Sequence, residues 1–275
     1  MATTLNDIGV KFPNNSQQET AIQYNEFWVY SPNHWTVLNG GRCCAWTVPA
    51  GTTSIKFEVL SGGGPGGSSG GSYDFGVGGG GGNYTSKILT KSAGQFVAGC
   101  VYTICAAGTS DCSCCCMCGV NCRHGCKSFV IGQGLSNFCA QGGMGGSTSY
   151  DTRSNCYNCF IGNVQCNKGQ FNAGWINCYC NEATFGGDIE FRGTSGSMNA
   201  EYSCCADRFS VAGIPTGPFK SAHGVSGKHA CTGGAACCSA HSVFPAGGGA
   251  GHNTASSSGC WGSFGAGGLV KITYS

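Results

Sequence analysis

Ser54-Ile55-Lys56-Phe57-Glu58-Val59-Leu60 alternates without a break, with Ile55, Phe57 and Val59 on one face and Lys56 and Glu58 on the other. A period of two marks a half-buried β-strand, because successive side chains of a strand point to opposite faces. Pro49-Ala50-Gly51 precedes it as a turn, and a glycine-rich run from Ser61 to Gly82 ends the pattern. Further out, Phe27 to Tyr30, Trp35 to Leu38 and Ala45 to Val48 read as short aromatic or β-branched strands. Tyr84 to Leu89, Phe96 to Cys105, Phe129 to Ile131 and Ile189 to Phe191 follow, and Leu269 to Tyr274 closes the chain as another alternating strand. No long stretch carries the 3.6-residue period of an amphipathic helix. These patterns predict an all-β protein: a small β-sandwich-like framework, strands near both ends, little helix, and long glycine- and cysteine-rich loops between. The predicted organisation is an N-terminal β-motif over residues 1–42 and a glycine-rich β domain over 43–275, with its cysteine-rich loops at about 106–262.

Of the 275 residues, 50 are glycine and 23 are cysteine. Glycine loses more backbone freedom on folding than any other residue, so such a chain needs a compensating source of order. Runs such as Gly78 to Gly82 are expected to pack as extended polyglycine strands, because missing side chains permit close backbone approach. A flexible linker is the competing expectation, but linkers are not normally interleaved with aromatics and cysteines. Charged residues make up 9% of the chain, against roughly 25% in an average soluble domain. With a net charge of +2 and no basic stripe, a nucleic-acid partner is not expected. No apolar run approaches the ~20 residues that span a bilayer as a helix, so membrane insertion is not expected either. The first residues, Met1 to Asp7, have neither a basic nor an apolar signal region, which predicts a route out of the cell other than conventional secretion.

The cysteines admit three readings. The simplest is a disulfide framework, each bridge contributing ~2–4 kcal/mol by restricting the unfolded chain. The adjacent pairs Cys43-Cys44, Cys204-Cys205 and Cys237-Cys238 would then each tie one backbone point to two neighbours. Zinc is the second: Cys156 and Cys159 form a CxxC knuckle that Cys178 and Cys180 complete to four thiolates. The third is an iron–sulfur cluster, since Cys112, Cys115, Cys118 and Cys122 repeat a ferredoxin-like spacing inside a run so dense in cysteine that most spacings occur in it. The number of cysteines is odd, so at least one is free, intermolecular or metal-bound. His223, His229, His241 and His252 lie near Cys231, Cys237 and Cys238 and read as solvated loop histidines before they read as ligands.

Catalysis finds little support. Gly67-Ser68-Ser69-Gly70-Gly71 matches a nucleophile-elbow spacing but lacks the strand-then-helix setting that exposes the serine. The acids are scattered, with no convincing pair. Aromatic residues, by contrast, crowd one polar region. Tyr157, Phe160, Trp175 and Tyr179 stand among asparagines and cysteines, a setting suited to stacking on sugar rings or to protein recognition. They are the candidate receptor-binding residues, with local mini-cores as the competing role.

Three segments carry a family resemblance. Gly9-Val10-Lys11-Phe12-Pro13-Asn14-Asn15-Ser16-Gln17-Gln18-Glu19-Thr20-Ala21 resembles a short β-motif that recurs in tail fibres of tailed bacteriophages, with Asn14-Asn15 in place of the usual Asp-Gly turn. Trp46-Thr47-Val48-Pro49-Ala50-Gly51, the strand after it, and the return through Gly82-Asn83-Tyr84 resemble the opening of the glycine-rich domain of tail fibre proteins. Gly186-Gly187-Asp188-Ile189-Glu190-Phe191 and Gly265-Ala266-Gly267-Gly268-Leu269-Val270-Lys271-Ile272 resemble its later strands and its end. The resemblance implies a virion structural protein, the distal component of a tail fibre that attaches the particle to a host surface receptor, glycan or protein. It further implies contacts with other tail proteins, a homotrimer, no resident cofactor and no enzymatic activity. The segments 106–128 and 144–182 would be the presented loops. A capsid or tail decoration or connector protein without receptor contact and a metal-binding cysteine-rich protein are the alternatives.

Overall fold

The computed structural model describes residues 24–31, 41–67, 78–109, 125–143, 145–146, 186–194, 196, 212–215, 217–219, 242–249 and 262–275 with their side chains, and outside these only the backbone of short strands. Every regular element among them is a β-strand. Ten strands build the framework: β1 (Asn25–Tyr30), β2 (Arg42–Thr47), β3 (Ser54–Leu60), β4 (Tyr84–Thr90), β5 (Val101–Ala106), β6 (Ser128–Ile131), β7 (Cys139–Ala140), β8 (Thr184–Phe185), β9 (Ile189–Phe191) and β10 (Leu269–Tyr274). They form two five-stranded antiparallel sheets, β9-β4-β3-β10-β1 and β8-β7-β6-β5-β2. The final strand thus lies inside the first sheet, between β3 and the edge strand β1.

The alternation read in β3 places its residues as expected. Ile55, Phe57 and Val59 are fully buried, and cross-strand partners continue their face: Phe57 stands opposite Ile272, and Val59 opposite Val270. The second sheet answers with Trp46, Tyr102, Ile104 and Val130. Phe57 is the hub of the core, with ring centroids of Tyr102 at 4.9 Å and of Trp46 and Phe138 at 6.3 Å. Such tilted and edge-on aromatic pairs add to the burial of apolar area. At the Pro49-Ala50-Gly51 turn, Thr52 N–H returns to the Pro49 carbonyl at 3.4 Å and Gly51 takes a φ of +87°, a region that L side chains resist.

Three expectations need correction. The strand expected from Phe96 begins only at Val101. Residues 91–99 turn instead, with Gly94 N–H bonded to Lys91 O, Cys100 N–H to Val97 O, and Gly99 at φ +80°. Glu58 does lie opposite the core face of β3 but is 5% exposed, because a second small cluster of Leu60, Tyr84, Ala246 and Leu269 covers that end of the sheet. Cys43 and Cys44 do not tie one point to two neighbours. Neighbours in a strand point to opposite faces. Cys43 is joined across the ladder to Cys105, its register partner, while Cys44 carries a thiol against the core. Burial raises the pKa of that thiol. The strand expected at Trp35 to Leu38 lies outside the described residues.

Where the framework strands leave the sandwich they run into glycine, and the backbone changes character. Gly79 N–H bonds Gly249 O at 2.8 Å, and Gly82 N–H bonds Ala246 O at 2.9 Å. Gly63 and Gly66 repeat the pattern on Ala266 and Ser263, and Gly143 and Gly146 repeat it on Gly62 and Pro65. In each case both partners shift by three residues, in opposite chain directions in the first two pairs and in the same direction in the third. A β-strand addresses a given neighbour every second residue, whereas an extended polyglycine helix of the polyproline II type has three residues per turn. Gly81 N–H meanwhile reaches Thr194 O, Gly64 N–H reaches Gly80 O, and Gly213 N–H reaches Gly79 O. The segment 78–82 is therefore bonded to neighbours on more sides than the two available in a sheet. The expected extended polyglycine packing is present, as a bundle of rods.

The rods approach so closely that no side chain fits between them. A Cβ on Gly79 would lie 2.2 Å from Gly64 O, and one on Gly81 would lie 2.2 Å from the Ile214 carbonyl. Polar side chains seat the rods on the sandwich. Ser61 Oγ donates to Gln141 O at 2.6 Å and accepts the Asn83 N–H at 2.8 Å, while Asn83 Oδ1 accepts the Gly193 N–H at 3.0 Å. Ser128 Oγ donates to Leu60 O at 2.8 Å and accepts from Ala107 N at 2.9 Å. These bonds satisfy buried backbone groups where the pairing pattern switches.

Candidate functional site

The residues singled out in the sequence lie outside the described residues: Tyr157, Phe160, Trp175 and Tyr179, the four cysteines at 156, 159, 178 and 180, and the cysteines at 112, 115, 118 and 122. Of the segments expected to be presented, 106–109, 125–128 and 145–146 are described with their side chains. They belong to the sandwich and the rods: the segment 106–128 runs from the end of β5 to the start of β6, and the segment 144–182 departs from the rod that holds Gly143 and Gly146. Residues 193, 194 and 196 belong to the rods and are followed by a strand at Ser197–Glu201, and the strand at Asp207–Val211 feeds the rod at 212–215. These two strands pair with each other, and with Gln170–Ala173 and Val225–His229, in a further five-stranded sheet. The chain thus leaves the rods into more β-structure. The N-terminal motif is a hairpin, Gly9–Lys11 against Gln17–Gln18 with Val10 opposite Gln18, with a third strand at Thr4–Asn6.

The described surface with the most recognition chemistry is the outer face of the first sheet. Alternation in β1 sends Phe27 and Val29 into the core and leaves Trp28 and Tyr30 outside, 41% and 48% exposed. Register carries this face across the sheet through Lys271, Glu58 and Ser86 to Ile189, and through Leu269, Leu60 and Tyr84 to Phe191. Phe219 lies over the middle, its ring 5.9 Å from Trp28 and 6.0 Å from Tyr84. Phe191 follows at 5.9 Å from Tyr84, and Phe244 sits 5.9 Å from Tyr30.

Polar contacts fix these rings. The Trp28 indole N–H donates to Glu26 Oε2 at 3.1 Å, and the Lys271 ammonium lies 4.8 Å from the Trp28 ring centroid while pairing with Glu26. The bond from Lys271, with that from Trp28, lowers the Glu26 pKa. Tyr84 Oη donates to Glu58 Oε1 at 2.7 Å, and Lys56 pairs with Glu58 at 2.9 Å. Burial chiefly, with the Glu58 charge beside it, raises the Tyr84 phenol well above its ordinary value. At the sheet edge the Asp188 carboxylate accepts the Ile88 backbone N–H at 3.0 Å and the Lys87 ammonium at 3.1 Å, and the backbone bond leads in lowering its pKa. Among the described residues no cluster of three His, Cys, Asp or Glu side chains could hold a metal.

The family model for the glycine-rich domain matches residues 37–275. The chain belongs to the glycine-rich domain family. No curated protein matches the chain. The match takes in nine of the ten framework strands and the described rods, whereas β1 (Asn25–Tyr30) and the hairpin at 9–18 stand before it. The residues expected to carry recognition lie in the cysteine-rich middle, and Trp28, Tyr30 and Phe191 are not among them. The signal for the first two was present, since Phe27-Trp28-Val29-Tyr30 alternates like β3.

Proposed function

We propose that this glycine-rich domain protein is a virion adhesin, a distal tail-fibre component of a tailed bacteriophage that attaches the particle to its host's surface without catalysis. The observation that carries the reading is the rod bundle. It turns the most flexible residue into a scaffold cross-bonded in several directions, and the cysteine-rich stretches of the sequence depart from it. A rigid base reduces the entropy lost when the segments mounted on it bind a receptor, and several copies on one particle multiply weak contacts. The Cys43–Cys105 bridge suits a protein that works outside a reducing cytosol. The likeness of the 9–21 motif and of the strand-glycine segments to tail fibres supplies the particle. In this reading the N-terminal hairpin joins other tail proteins, the assembly is a homotrimer, and the receptor is a surface glycan or protein.

The test is electron microscopy of particles labelled with gold-bearing antibody to the chain, together with inhibition of adsorption by the purified protein. Label at the fibre tips and a dose-dependent block of adsorption are expected. Label on the capsid, or adsorption untouched by saturating protein, overturns the reading in favour of a decorating or connecting role. Stoichiometric zinc or iron in the purified protein, with most thiols intact, favours the metal-binding alternative.

A further inference from the structure

We propose that the outer face of the first sheet is a binding site for a neutral glycan, separate from the cysteine-rich segments. Trp28, Tyr30 and Phe191 keep 41–48% of their surface in water although Phe219, Phe244 and Tyr84 stand within ring-packing distance. Exposed aromatic rings gathered on one face mark recognition surfaces. Their order is built in before any ligand arrives: Glu26 holds the indole N–H, Lys271 covers the Trp28 ring, and strand register sets the spacing. Little conformational entropy is then left to lose on binding.

The charges choose the ligand. The ammonium groups of Lys271 and Lys56 on this face each meet a carboxylate, of Glu26 and Glu58 respectively. Among the described residues the face offers no unpaired cation to a phosphate, a sulfate or a sialic acid, and no unpaired anion to a basic peptide. What remains is ring faces beside hydrogen-bonding carboxylate, ammonium and phenol groups. This combination fits a pyranose, whose C–H face packs on the electron-rich ring while its hydroxyls bond the charged groups at the rim. A protein partner is disfavoured because the pairs Glu26–Lys271 and Lys56–Glu58 lie within the patch rather than around it, whereas cores of protein interfaces are depleted in charge.

The test is binding of the full chain to arrays of neutral and anionic oligosaccharides, followed by titration of any hit. Neutral glycans are expected to bind, and Trp28→Ala or Tyr30→Ala to weaken them at least 10-fold while the thermal transition and the Cys43–Cys105 bridge persist. Phe191→Tyr, which keeps the ring, should retain binding. Selective binding of anionic glycans, absence of neutral hits, or affinity unchanged in both alanine variants overturns the proposal. Adsorption assays separate this site from the adhesin reading. A Trp28→Ala protein that has lost the glycan and still blocks adsorption places attachment elsewhere on the chain, whereas glycan binding without any block of adsorption leaves this site standing and removes the adhesin.

Discussion

The sandwich and the rod bundle are halves of one domain held by opposite means. In the sandwich, order comes from side chains: Phe57, Trp46, Tyr102 and Phe138 fill the space between sheets, and removing atoms leaves a void. In the bundle, order comes from the absence of side chains. Backbones meet where a Cβ would overlap a carbonyl, and hydrogen bonds of 2.7–3.0 Å run outward from each rod in several directions. One half is damaged by losing atoms, the other by gaining them. A glycine-rich chain can therefore be rigid, provided its glycines lie beside other glycines rather than beside water.

The largest effect expected is on the sandwich side. Phe57→Ala should cost ~3–5 kcal/mol of stability, measured by denaturant titration, because the ring is fully buried among three other rings. A loss below about 1 kcal/mol would mean that the bundle, not the core, holds the domain. Next comes the bridge. Cys43 and Cys105 are 62 residues apart, so replacing both by serine removes a long closed loop from the unfolded state and should cost ~2–4 kcal/mol. The same variant should leave the register of β2 on β5 intact, since Trp46–Tyr102 and four further pairs remain.

On the bundle side the comparison sharpens with paired glycines. Gly81→Ala should cost ~1–3 kcal/mol, because the new methyl meets the Ile214 backbone at 2.2 Å and neither rod can yield alone. Gly94 has open space around its Cβ position, and its φ of +69° is the only obstacle, so Gly94→Ala should cost ~1–2 kcal/mol. If the two substitutions behave alike, close packing is not what makes the bundle glycines necessary. A further gap should open at Gly81 with valine in place of alanine.

The smallest effect is electrostatic. Asp188 and Glu26 both have folded-state pKa values below their unfolded ones. Their contribution to stability is therefore present above the unfolded value near pH ~4 and is lost as pH falls through the folded value. Both carboxylates are substantially exposed, so solvent screening keeps the Asp188 share below about 1 kcal/mol. Asp188→Asn should flatten the acid side of the stability profile slightly. An unchanged profile would show that the Asp188 carboxylate titrates alike in the folded and unfolded chain, so that neither the Ile88 N–H nor Lys87 stabilises its charged form.

Much of the framework was legible in the sequence because its residues carry a pattern. Ile55, Phe57 and Val59 declare a face, as do Val270 and Ile272. Phe96 misled, since a buried aromatic looks alike in a strand and in a turn, and only the +80° φ of Gly99 separates the two. The extended packing of Gly78 to Gly82 was readable from the lack of side chains, but its partners were not. Glycine has no face, so nothing in the letters says that Gly79 and Gly82 meet residues 249 and 246. That information lies in where the flanking strands pin each rod, through Ser61, Asn83 and Ser128. The aromatic face was half legible: Trp28 and Tyr30 follow from alternation in one strand, whereas Phe191 and Phe219 reach them only through long-range pairing.

The claim that the glycines form a rigid, three-period bundle is tested most directly by native-state amide hydrogen exchange, read residue by residue by NMR. The amides of Gly63, Gly66, Gly79, Gly82, Gly213 and Gly249 each donate to a backbone carbonyl of another rod. They should exchange as slowly as the amides of Val59 and Ile104 in the sheets, at rates set by opening of the whole domain. Exchange of those six at the rate of an unstructured peptide, while the sheets stay protected, would make the glycines linkers and contradict the account.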